Sequence, residues 1–390
     1  MSRFHSYLNS SVRILSEYNG DSPFSLFIKK FFSQHKKYGS RDRRLISDYC
    51  YQYFRIGNAF PDKELSERIL IGRFLCSKES NRMLEVHRQE WDEVVELSLK
   101  EKLGVLQTDF KEVFSSLFSW REELSMDIDF DAFASSHFVQ PDVFLRIRSN
   151  QKEKVKRTLN EVEIPFKEIT SSTFSVEANS KVDRALQIDS DVVVQDLSSQ
   201  RVGDFLSKLL KEDTPKVWDC CAGSGGKSIM AYDINPKIRL TVSDVRENIL
   251  INLKKRFDAA GIKSYKSFQL DLGNGQSVLD SPFDVIIADV PCTGSGTWGR
   301  TPEQLTYFEA SKIQEYADLQ RTIVSNAIPL LKPGGFLVYI TCSVFKKENE
   351  NNVEYLIDEF DLEEVDGGLL KGYDQKADSM FVSVLKRACN

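Results

Sequence analysis

The stretch VWDCCAGSGGKS, residues 217–228, decides the fold. Residues 216–219 are expected to form a short buried strand that ends in a carboxylate, and residues 222–226 supply a turn of small side chains. Glycine lets the backbone adopt positive φ and approach a ligand closely, so a helix is expected to start where this turn stops. The spacing matches neither GxGxxG nor GxxxxGK(S/T). Taken alone, the turn is as consistent with tight packing as with a bound nucleotide.

Acidic residues end three of the predicted strands. The run IRLTVSD, residues 238–244, is expected to be a second buried strand, with Asp244 about 20 residues past the glycines, where nucleotide-binding folds place a carboxylate for ribose hydroxyls. Asp271 closes a third strand, residues 267–270, and could accept a hydrogen bond from an adenine amino group. Each acid alone is better explained as a helix N-cap. Together with Asp219, they favour a bound nucleoside.

Two cysteines follow the next predicted strands. Residues 285–288 lead into Cys292, and residues 336–341 lead into Cys342. Ligands and catalytic groups gather beyond the carboxyl ends of strands in open α/β sheets, so both thiols are expected to face the crevice that the glycines line. A single cysteine is more often a buried structural residue. Two thiols at the tips of neighbouring strands favour a shared reactive site.

These motifs together resemble a known family. DCCAGSGGK, DVPCTGSGTWGRTPE, and TCS followed by KKENENN are similar to the motifs of the RsmB-like (Sun/Fmu) RNA cytosine-C5 methyltransferases, which use S-adenosyl-L-methionine. VVVQDLSSQ, residues 192–200, is similar to the segment before the cofactor turn in that family. The resemblance covers about half of the chain, from Val192 onward. It implies an α/β fold: a Rossmann-like class I methyltransferase domain with a seven-stranded, mostly parallel sheet.

The resemblance also implies roles for individual residues. Cys342 would be the nucleophile, and Cys292 the second cysteine, which releases the product. The residues implied to contact the cofactor are Cys221, Ala222, Gly223, Ser224, Gly225, Gly226, Lys227, Asp244, Asp271 and Asp289. The chain departs from the family pattern twice. Ser224 stands where Pro is common, which should loosen the turn, and Gly299 stands where Arg is common, which removes one possible RNA contact.

The chemistry of cytosine explains the need for two cysteines. Carbon 5 is a poor nucleophile until a thiolate adds to carbon 6. A free thiol has a pKa of ~8.5, so Cys342 must be activated locally or by proton transfer as the base binds. Cys292 could then remove the carbon-5 proton as a general base, directly or through water. Three alternatives stay open: transfer RNA as the substrate, DNA as the substrate in a DNA-type arrangement with Cys292 as the nucleophile, and a non-catalytic RNA-binding or assembly factor that retains the pocket.

Composition bounds the class of protein. The chain has 390 residues, of which 41% are apolar and 28% charged, as in soluble proteins of two or three domains. Its seven cysteines include no CxxC pair, so we expect reduced thiols, no metal and a cytoplasmic location. No apolar run reaches the ~18 residues of a membrane helix, so no membrane partner is expected. The expected partner is RNA, most simply ribosomal RNA, and the oligomeric state stays open.

The chain before residue 191 predicts two further domains. Residues 1–135 show helical periodicity, similar to the NusB-like domain that RsmB-like proteins often carry, and form an RNA-binding candidate. Ten Lys/Arg against four Asp/Glu lie between Arg3 and Arg55, which is a basic face or an ordinary solvated surface. Residues 136–190 predict a small α/β module, and residues 191–390 the methyltransferase domain.

Some side chains outside the motifs are candidates for contact with RNA. Trp298 and Arg300 are expected to be exposed near a flipped base, with loop packing as the alternative. Aromatic residues of the basic segment could stack on bases, although helical spacing favours the core; these are Tyr38, Tyr51, Tyr53 and Phe54. Cations of the small module are expected to contact phosphates; these are Arg146, Arg148, Lys152, Lys154, Lys156 and Arg157.

Overall fold

The computed structural model describes residues 3–275 and 282–389, which form two compact units. The first, the helical unit, comprises Met1–Glu122, Asp129–Gln140 and Thr297–Ala310. The second, the sheet unit, comprises Glu123–Ile128, Pro141–Gly296 and Ser311–Asn390. The chain therefore changes unit near residue 140, and the module and the methyltransferase domain expected from the sequence share one unit. The three-domain division stays a prediction.

Helices and strands have the following bounds. The α-helices are α1 (Arg3–Glu17), α2 (Phe24–Gln34), α3 (Ser40–Phe54), α4 (Leu65–Cys76), α5 (Arg82–His87), α6 (Gln89–Asp92), α7 (Leu99–Val105), α8 (Phe110–Leu117), α9 (Phe130–Ser136), α10 (Lys152–Glu161), α11 (Leu197–Leu209), α12 (Gly226–Ile234), α13 (Glu247–Ala260), α14 (Gln304–Tyr307), α15 (Ser311–Ala327) and α16 (Glu350–Glu359). The strands are β1 (Val143–Ile147), β2 (Phe166–Thr170), β3 (Thr173–Val176), β4 (Val192–Val194), β5 (Lys216–Asp219), β6 (Arg239–Asp244), β7 (Tyr265–Gln269), β8 (Phe283–Asp289), β9 (Leu331–Thr341), β10 (Leu362–Leu370) and β11 (Met380–Arg387). No helix in the described ranges has both the length and the apolar character needed to cross a membrane.

Aromatic side chains make much of the core of the helical unit. Phe24 of α2 packs edge-on against Phe54 of α3, with ring centroids 4.8 Å apart. Of the candidate stacking residues, Tyr38, Tyr53 and Phe54 are buried. The periodicity of these residues therefore reflects core packing, and they present no free ring to a base.

Trp298 is also a core residue, contrary to the exposure expected from its loop. Its side chain is 1% exposed and packs against the rings of Phe118, Trp120 and Phe308. The adjacent carbonyl of Gly299 accepts a hydrogen bond from the buried guanidinium of Arg55 at 2.8 Å. The expected exposure is wrong for Trp298, because loop packing outweighs the polarity of its neighbours.

The small module of the sheet unit is a four-stranded antiparallel sheet in the order β2-β3-β1-β4, which α10 accompanies. Two of its arginines do not lie on a solvent face as expected. Arg146 and Arg148 of β1 both pair with Asp233 of α12, at 2.6 Å each, and their side chains are 11% and 16% exposed. These arginines therefore fix the module against α12, and phosphate contact is the wrong role for them. The lysines of α10 pair at the surface with Glu168 and Asp191.

The large sheet has seven strands in the order β10-β11-β9-β8-β5-β6-β7. Strands β9, β8, β5, β6 and β7 are parallel, and β11 is antiparallel to both of its neighbours. This is the mostly parallel sheet expected from the sequence, and the prediction is confirmed. Strand order reverses at β5, so the carboxyl ends of β5 and β8 border the crevice where such folds bind ligands.

Both faces of this sheet are covered, which explains why its central strands are continuous apolar runs. Val217 of β5 points into a cluster with side chains of α11, α12 and α13. The next residue, Trp218, points into a second cluster with side chains of α15 and α16. Its indole N–H donates to Ser243 Oγ at 3.0 Å, so the polar atom of this buried ring is satisfied.

Candidate active site

The glycine turn joins β5 to α12 in a backbone conformation that needs glycine. Gly225 precedes α12 with φ +87°, and a Cβ at this position would lie 2.7 Å from the ring of Phe257. Gly223 has φ +51°. A Cβ at Gly223 or Gly226 would have no neighbour within 4 Å, so the turn borders open space on the side of these two residues. The residues between β5 and this open edge are Cys220, Cys221 and Ala222.

Ser224, which replaces the common proline, is held by hydrogen bonds. The guanidinium of Arg256 donates to its carbonyl at 3.0 Å and to its Oγ at 2.8 Å. Arg256 in turn pairs with Asp189 at 2.7 Å. The turn is therefore anchored by α13 instead of by a proline ring. Sequence reasoning did not identify Arg256, which lies 32 residues beyond the turn it supports.

Asp244, at the end of β6, is buried, and both of its carboxylate oxygens accept hydrogen bonds. Its Oδ2 accepts the backbone N–H of Gly223 at 2.9 Å, which ties β6 to the glycine turn. The guanidinium of Arg246 also reaches this carboxylate, at 3.0 Å from Oδ1, and its side chain is 59% exposed. Asp244 is therefore placed where a ribose could bind, but Arg246 holds the same oxygens. Sequence reasoning missed this arginine.

Asp271 acts as a cap in this structure. Its Oδ1 accepts the backbone N–H of Gly273 at 2.9 Å, and its Oδ2 accepts from Asn274 Nδ2 at 2.5 Å. It lies just beyond β7, the edge strand that pairs with β6. Its geometry agrees with the N-cap alternative, and its role toward a cofactor stays a prediction.

An ion pair connects the glycine turn to the strand that carries Cys292. Lys227, in the first turn of α12, is 6% exposed and its Nζ lies 3.1 Å from Oδ2 of Asp289 at the end of β8. The same Nζ donates to Ser199 Oγ of α11 at 2.7 Å. The side chain of Asp289 is 31% exposed, so it remains reachable by a ligand. Three elements therefore converge beside the cysteine loop.

The acid that ends β5 is fully buried. Asp219 accepts a hydrogen bond from Ser228 Oγ at 2.6 Å through Oδ2, while its Oδ1 has no hydrogen-bond partner within the described ranges. Burial raises the pKa of Asp219 to about 7, against a smaller opposing effect of the Ser228 hydrogen bond. The carboxyl group is therefore poised between its neutral and charged forms near neutral pH.

The two cysteines meet beyond neighbouring strands. Strands β8 and β9 run parallel, with Asp289 opposite Ile340, so the loops that follow them emerge side by side. The Sγ atoms of Cys292 and Cys342 lie 3.1 Å apart and both cysteines are free. The backbone N–H of Cys342 also points at Cys292 Sγ, at 3.3 Å. The structure brings together the two thiols that the sequence placed at adjacent strand tips.

A hydrogen bond to Cys342 from its partner loop adds to this contact. The backbone N–H of Gly296 donates to the carbonyl of Cys342 at 2.9 Å, and the carbonyl of Gly296 accepts from Ser379 N–H at 2.9 Å. A Cβ at Gly296 would lie 2.0 Å from the Ser379 carbonyl oxygen, so only glycine fits there.

In residues 3–275 and 282–389, no cluster of three or more His, Cys, Asp or Glu side chains is arranged to hold a metal ion.

Glu348 is the site residue that sequence reasoning overlooked most clearly. It lies in the KKENENN segment that carried part of the resemblance, but it received no role of its own. Its side chain is 0% exposed and binds both cysteine loops, through Thr293 and Ser343. The signal available in the sequence was an acid shortly after the predicted nucleophile. The structure shows its importance, because charged residues are rarely buried without a specific partner.

Comparison with known proteins agrees with this geometry. Residues 207–380 match the family model described as 16S rRNA methyltransferase RsmB/F. The ribosomal RNA small subunit methyltransferase B of Xanthomonas campestris pv. campestris is 32% identical over 166 residues, which cover 42% of this chain and 37% of that relative. The protein of the same name from Yersinia enterocolitica is 31% identical over the same shares of both chains. The match thus spans little more than a third of each relative.

Solved structures share the fold. The crystal structure of PH0851 has a TM-score of 0.70 at 19% identity, and the match covers 97% of both chains. A methyltransferase homolog protein from Pyrococcus horikoshii has a TM-score of 0.57 at 22% identity, covering 74% of this chain and 98% of that one. Sheet order and motif positions agree with these matches, and residues 207–380 of this chain are similar to the methyltransferase domain of the RsmB/F family.

Proposed function

We propose that this chain is an S-adenosyl-L-methionine-dependent RNA methyltransferase that forms 5-methylcytosine in ribosomal RNA. The observation that carries this proposal is the 3.1 Å contact between two free thiols beyond β8 and β9. A reaction that forms and then breaks a bond to a pyrimidine needs a nucleophile and a group that manages the departing proton, in one place. The names of the curated relatives support ribosomal RNA as the substrate.

The glycine turn fits the cofactor. Gly223 and Gly226 leave open space where a side chain would otherwise stand, and Asp244 supplies a carboxylate at the end of β6. A purine nucleoside bound there would place its ribose at Asp244, as in other folds of this class. When bound, S-adenosyl-L-methionine supplies an electrophilic methyl group. The 31% exposed side chain of Asp289 could accept a hydrogen bond from the amino group of cytosine, with Lys227 compensating its charge.

The proposed steps use the two cysteines in turn. The Cys342 thiolate adds to carbon 6 of cytosine, and the electron pair of the carbon 5–carbon 6 double bond makes carbon 5 nucleophilic. Carbon 5 forms a bond to the methyl group as the methyl–sulfur bond breaks, and S-adenosylhomocysteine would be the leaving group. The thiolate of Cys292 then accepts the carbon-5 proton, the freed electron pair restores the double bond, and the carbon–sulfur bond to Cys342 breaks. The product leaves with Cys342 as a thiolate and the proton on Cys292.

Incorporation of labelled methyl groups tests the proposal. The chain is incubated with methyl-labelled cofactor and with naked ribosomal RNA or assembled small subunits, and bisulfite mapping locates the product. We expect 5-methylcytosine at a defined, unpaired position, because extruding a paired base costs a few kcal/mol. Label in transfer RNA alone would reassign the substrate. No incorporation into any RNA at saturating cofactor would leave only an RNA-binding role.

A further inference from the structure

We infer that Glu348 is a positioning residue that braces the Cys292 loop against the Cys342 loop. The inference rests on the proposed function for the reaction it serves. It concerns a residue outside the glycine turn and outside the cysteine pair. Its basis is a set of hydrogen bonds that meet at one buried carboxylate.

Four donors fill the carboxylate of Glu348. Oε1 accepts from Thr293 Oγ1 at 2.5 Å and from Ser343 Oγ at 2.6 Å. Oε2 accepts from the Thr293 backbone N–H at 2.9 Å and from Gln320 Nε2 at 2.8 Å. A carboxylate offers about four acceptor positions, so this one is saturated. Thr293 follows Cys292 directly and Ser343 follows Cys342 directly, so one side chain holds the residue after each thiol.

The anchors of Glu348 are themselves fixed. Its carbonyl accepts a hydrogen bond from the buried hydroxyl of Tyr339 in β9, at 2.6 Å. Gln320 of α15 donates a second hydrogen bond, to the carbonyl of Pro291, at 3.0 Å. The brace thus reaches both sides of Cys292 and is mounted on the sheet. Such rigid support matters because a misplacement of about 1 Å at a reacting group can cost about 100-fold in rate.

The negative charge of Glu348 also affects the pKa of Cys292. The hydrogen bond with Cys342, burial and the negative charge of Glu348 all raise the pKa of Cys292. Burial raises the pKa of Glu348 itself, while the hydrogen bonds from Ser343, Thr293 and Gln320 favour its charged form. Tyr339, whose pKa burial holds well above its usual value, also interacts with this region, and Asp289 pairs with Lys227. Removing the charge at residue 348 should therefore lower the pKa of Cys292.

Two substitutions separate the brace from the charge. In Glu348→Gln, the amide oxygen can accept from the Thr293 N–H and Gln320, and the amide NH₂ can donate to the two hydroxyl groups, which rotate to accept. The brace therefore survives without its charge. Glu348→Ala removes both. Glu350→Gln and Glu350→Ala are matched controls, because Glu350 is half-buried two residues later and bonds to Ser125 Oγ at 2.9 Å.

We expect Glu348→Ala to lower kcat for methyl transfer by about 100-fold with an unchanged Kd for S-adenosylhomocysteine, and Glu348→Gln to restore most of that rate. Both Glu350 variants should stay near wild type. If Glu348→Ala does not fold, Ser343→Ala, which removes one hydroxyl of the brace, should still lower kcat. Equal loss in the Gln and Ala variants, or no loss in either variant, would overturn the inference.

A second readout does not depend on methylation. Iodoacetamide alkylation of Cys292 is followed against pH by peptide mass spectrometry, without RNA or cofactor. We expect the Cys292 profile of Glu348→Gln to move to lower pH than that of wild type and of Glu350→Gln. An unmoved profile would refute the electrostatic part. If wild type methylates no RNA and the profile still moves, the proposed function fails and the electrostatic effect of Glu348 on Cys292 stands.

Discussion

Cys292 and Cys342 are separated by 50 positions in the chain, yet their Sγ atoms lie within hydrogen-bond distance. The parallel pairing of β8 with β9 is the cause, because residues that leave two adjacent strands in the same direction emerge together. The hydrogen bond with Cys342 and the burial of the site raise the pKa of Cys292. A thiol with a raised pKa is a strong base once it is deprotonated, which suits Cys292 to accept the carbon-5 proton and leaves Cys342 as the nucleophile.

Exchange of each cysteine for alanine tests this assignment. Cys292→Ala should accumulate a covalent RNA–protein adduct, because the bond to carbon 6 forms but the carbon-5 proton is not removed. Cys342→Ala should form none. A denaturing gel with labelled RNA and cofactor detects the adduct, and Cys389→Ser, at an exposed position, is the control. An adduct in Cys342→Ala and none in Cys292→Ala would assign the DNA-type arrangement.

Gly225 should tolerate no side chain. Gly225→Ala combines a left-handed backbone with a Cβ 2.7 Å from Phe257. Gly261→Ala is the matched control, since Gly261 has φ +75° and no neighbour within 4 Å of an added Cβ. The left-handed conformation alone costs about 1–2 kcal/mol, so Gly225→Ala should lower the free energy of unfolding by more than Gly261→Ala does. Urea titration measures the free energy of unfolding of both variants. Equal losses would mean that the Phe257 ring moves away from the added Cβ at no cost.

How far the sequence predicted the fold depends on how local each signal was. The bounds of β5 followed from a short apolar run and the residues that flank it. Strand β10, Leu362–Leu370, was missed because LEEVDGGLL is largely polar and is defined by its pairing with β11. Strand β4 was not assigned, since its three residues acquire their structure from β1.

Prediction of the candidate site from the sequence was also limited to local signals. The sequence placed both thiols and the glycine turn, because each belongs to a contiguous motif. It could not place Arg256 on Ser224 or Arg246 on Asp244, because those contacts depend on how α13 lies beside the turn and β6. Arg146 and Arg148 were misassigned for the same reason: a basic strand looks solvent-facing until Asp233 of α12 is brought against it.

Arg246 should compete with the cofactor for Asp244. Arg246→Ala frees the carboxylate at the cost of one partly exposed ion pair, so the Kd for S-adenosylhomocysteine should fall by about 2- to 5-fold. Asp244→Ala should raise that Kd by about 10- to 100-fold, because a hydrogen bond to a charged group is lost. Calorimetry measures both. Arg239→Ala, at the other end of β6, is the control, and a weaker affinity in Arg246→Ala would show that the arginine assists binding.

Asp219 should make the stability of the protein fall as pH rises. Burial raises its folded pKa from 3.8 to about 7, so the folded state holds a proton that the unfolded state releases. The stabilisation is therefore fully present below about pH 4 and is lost as pH rises through about 7. Asp219→Asn removes this ionisation. From pH 5 to pH 8 it should gain roughly 2–3 kcal/mol in free energy of unfolding relative to wild type, at 1.36 kcal/mol per pKa unit.

Asp284 provides the control with the opposite shift. Burial opposes ionisation there, but hydrogen bonds from Lys332 and from the Lys216 N–H hold the pKa of Asp284 below 3.8. A carboxyl group with a lowered pKa contributes its stabilisation above 3.8, so Asp284→Asn should cost the same at pH 5 and at pH 8. Urea unfolding at the two pH values distinguishes the carboxyls. If Asp219→Asn also shows no change between them, Asp219 is charged throughout, and its buried Oδ1 must then be satisfied by an ordered water molecule.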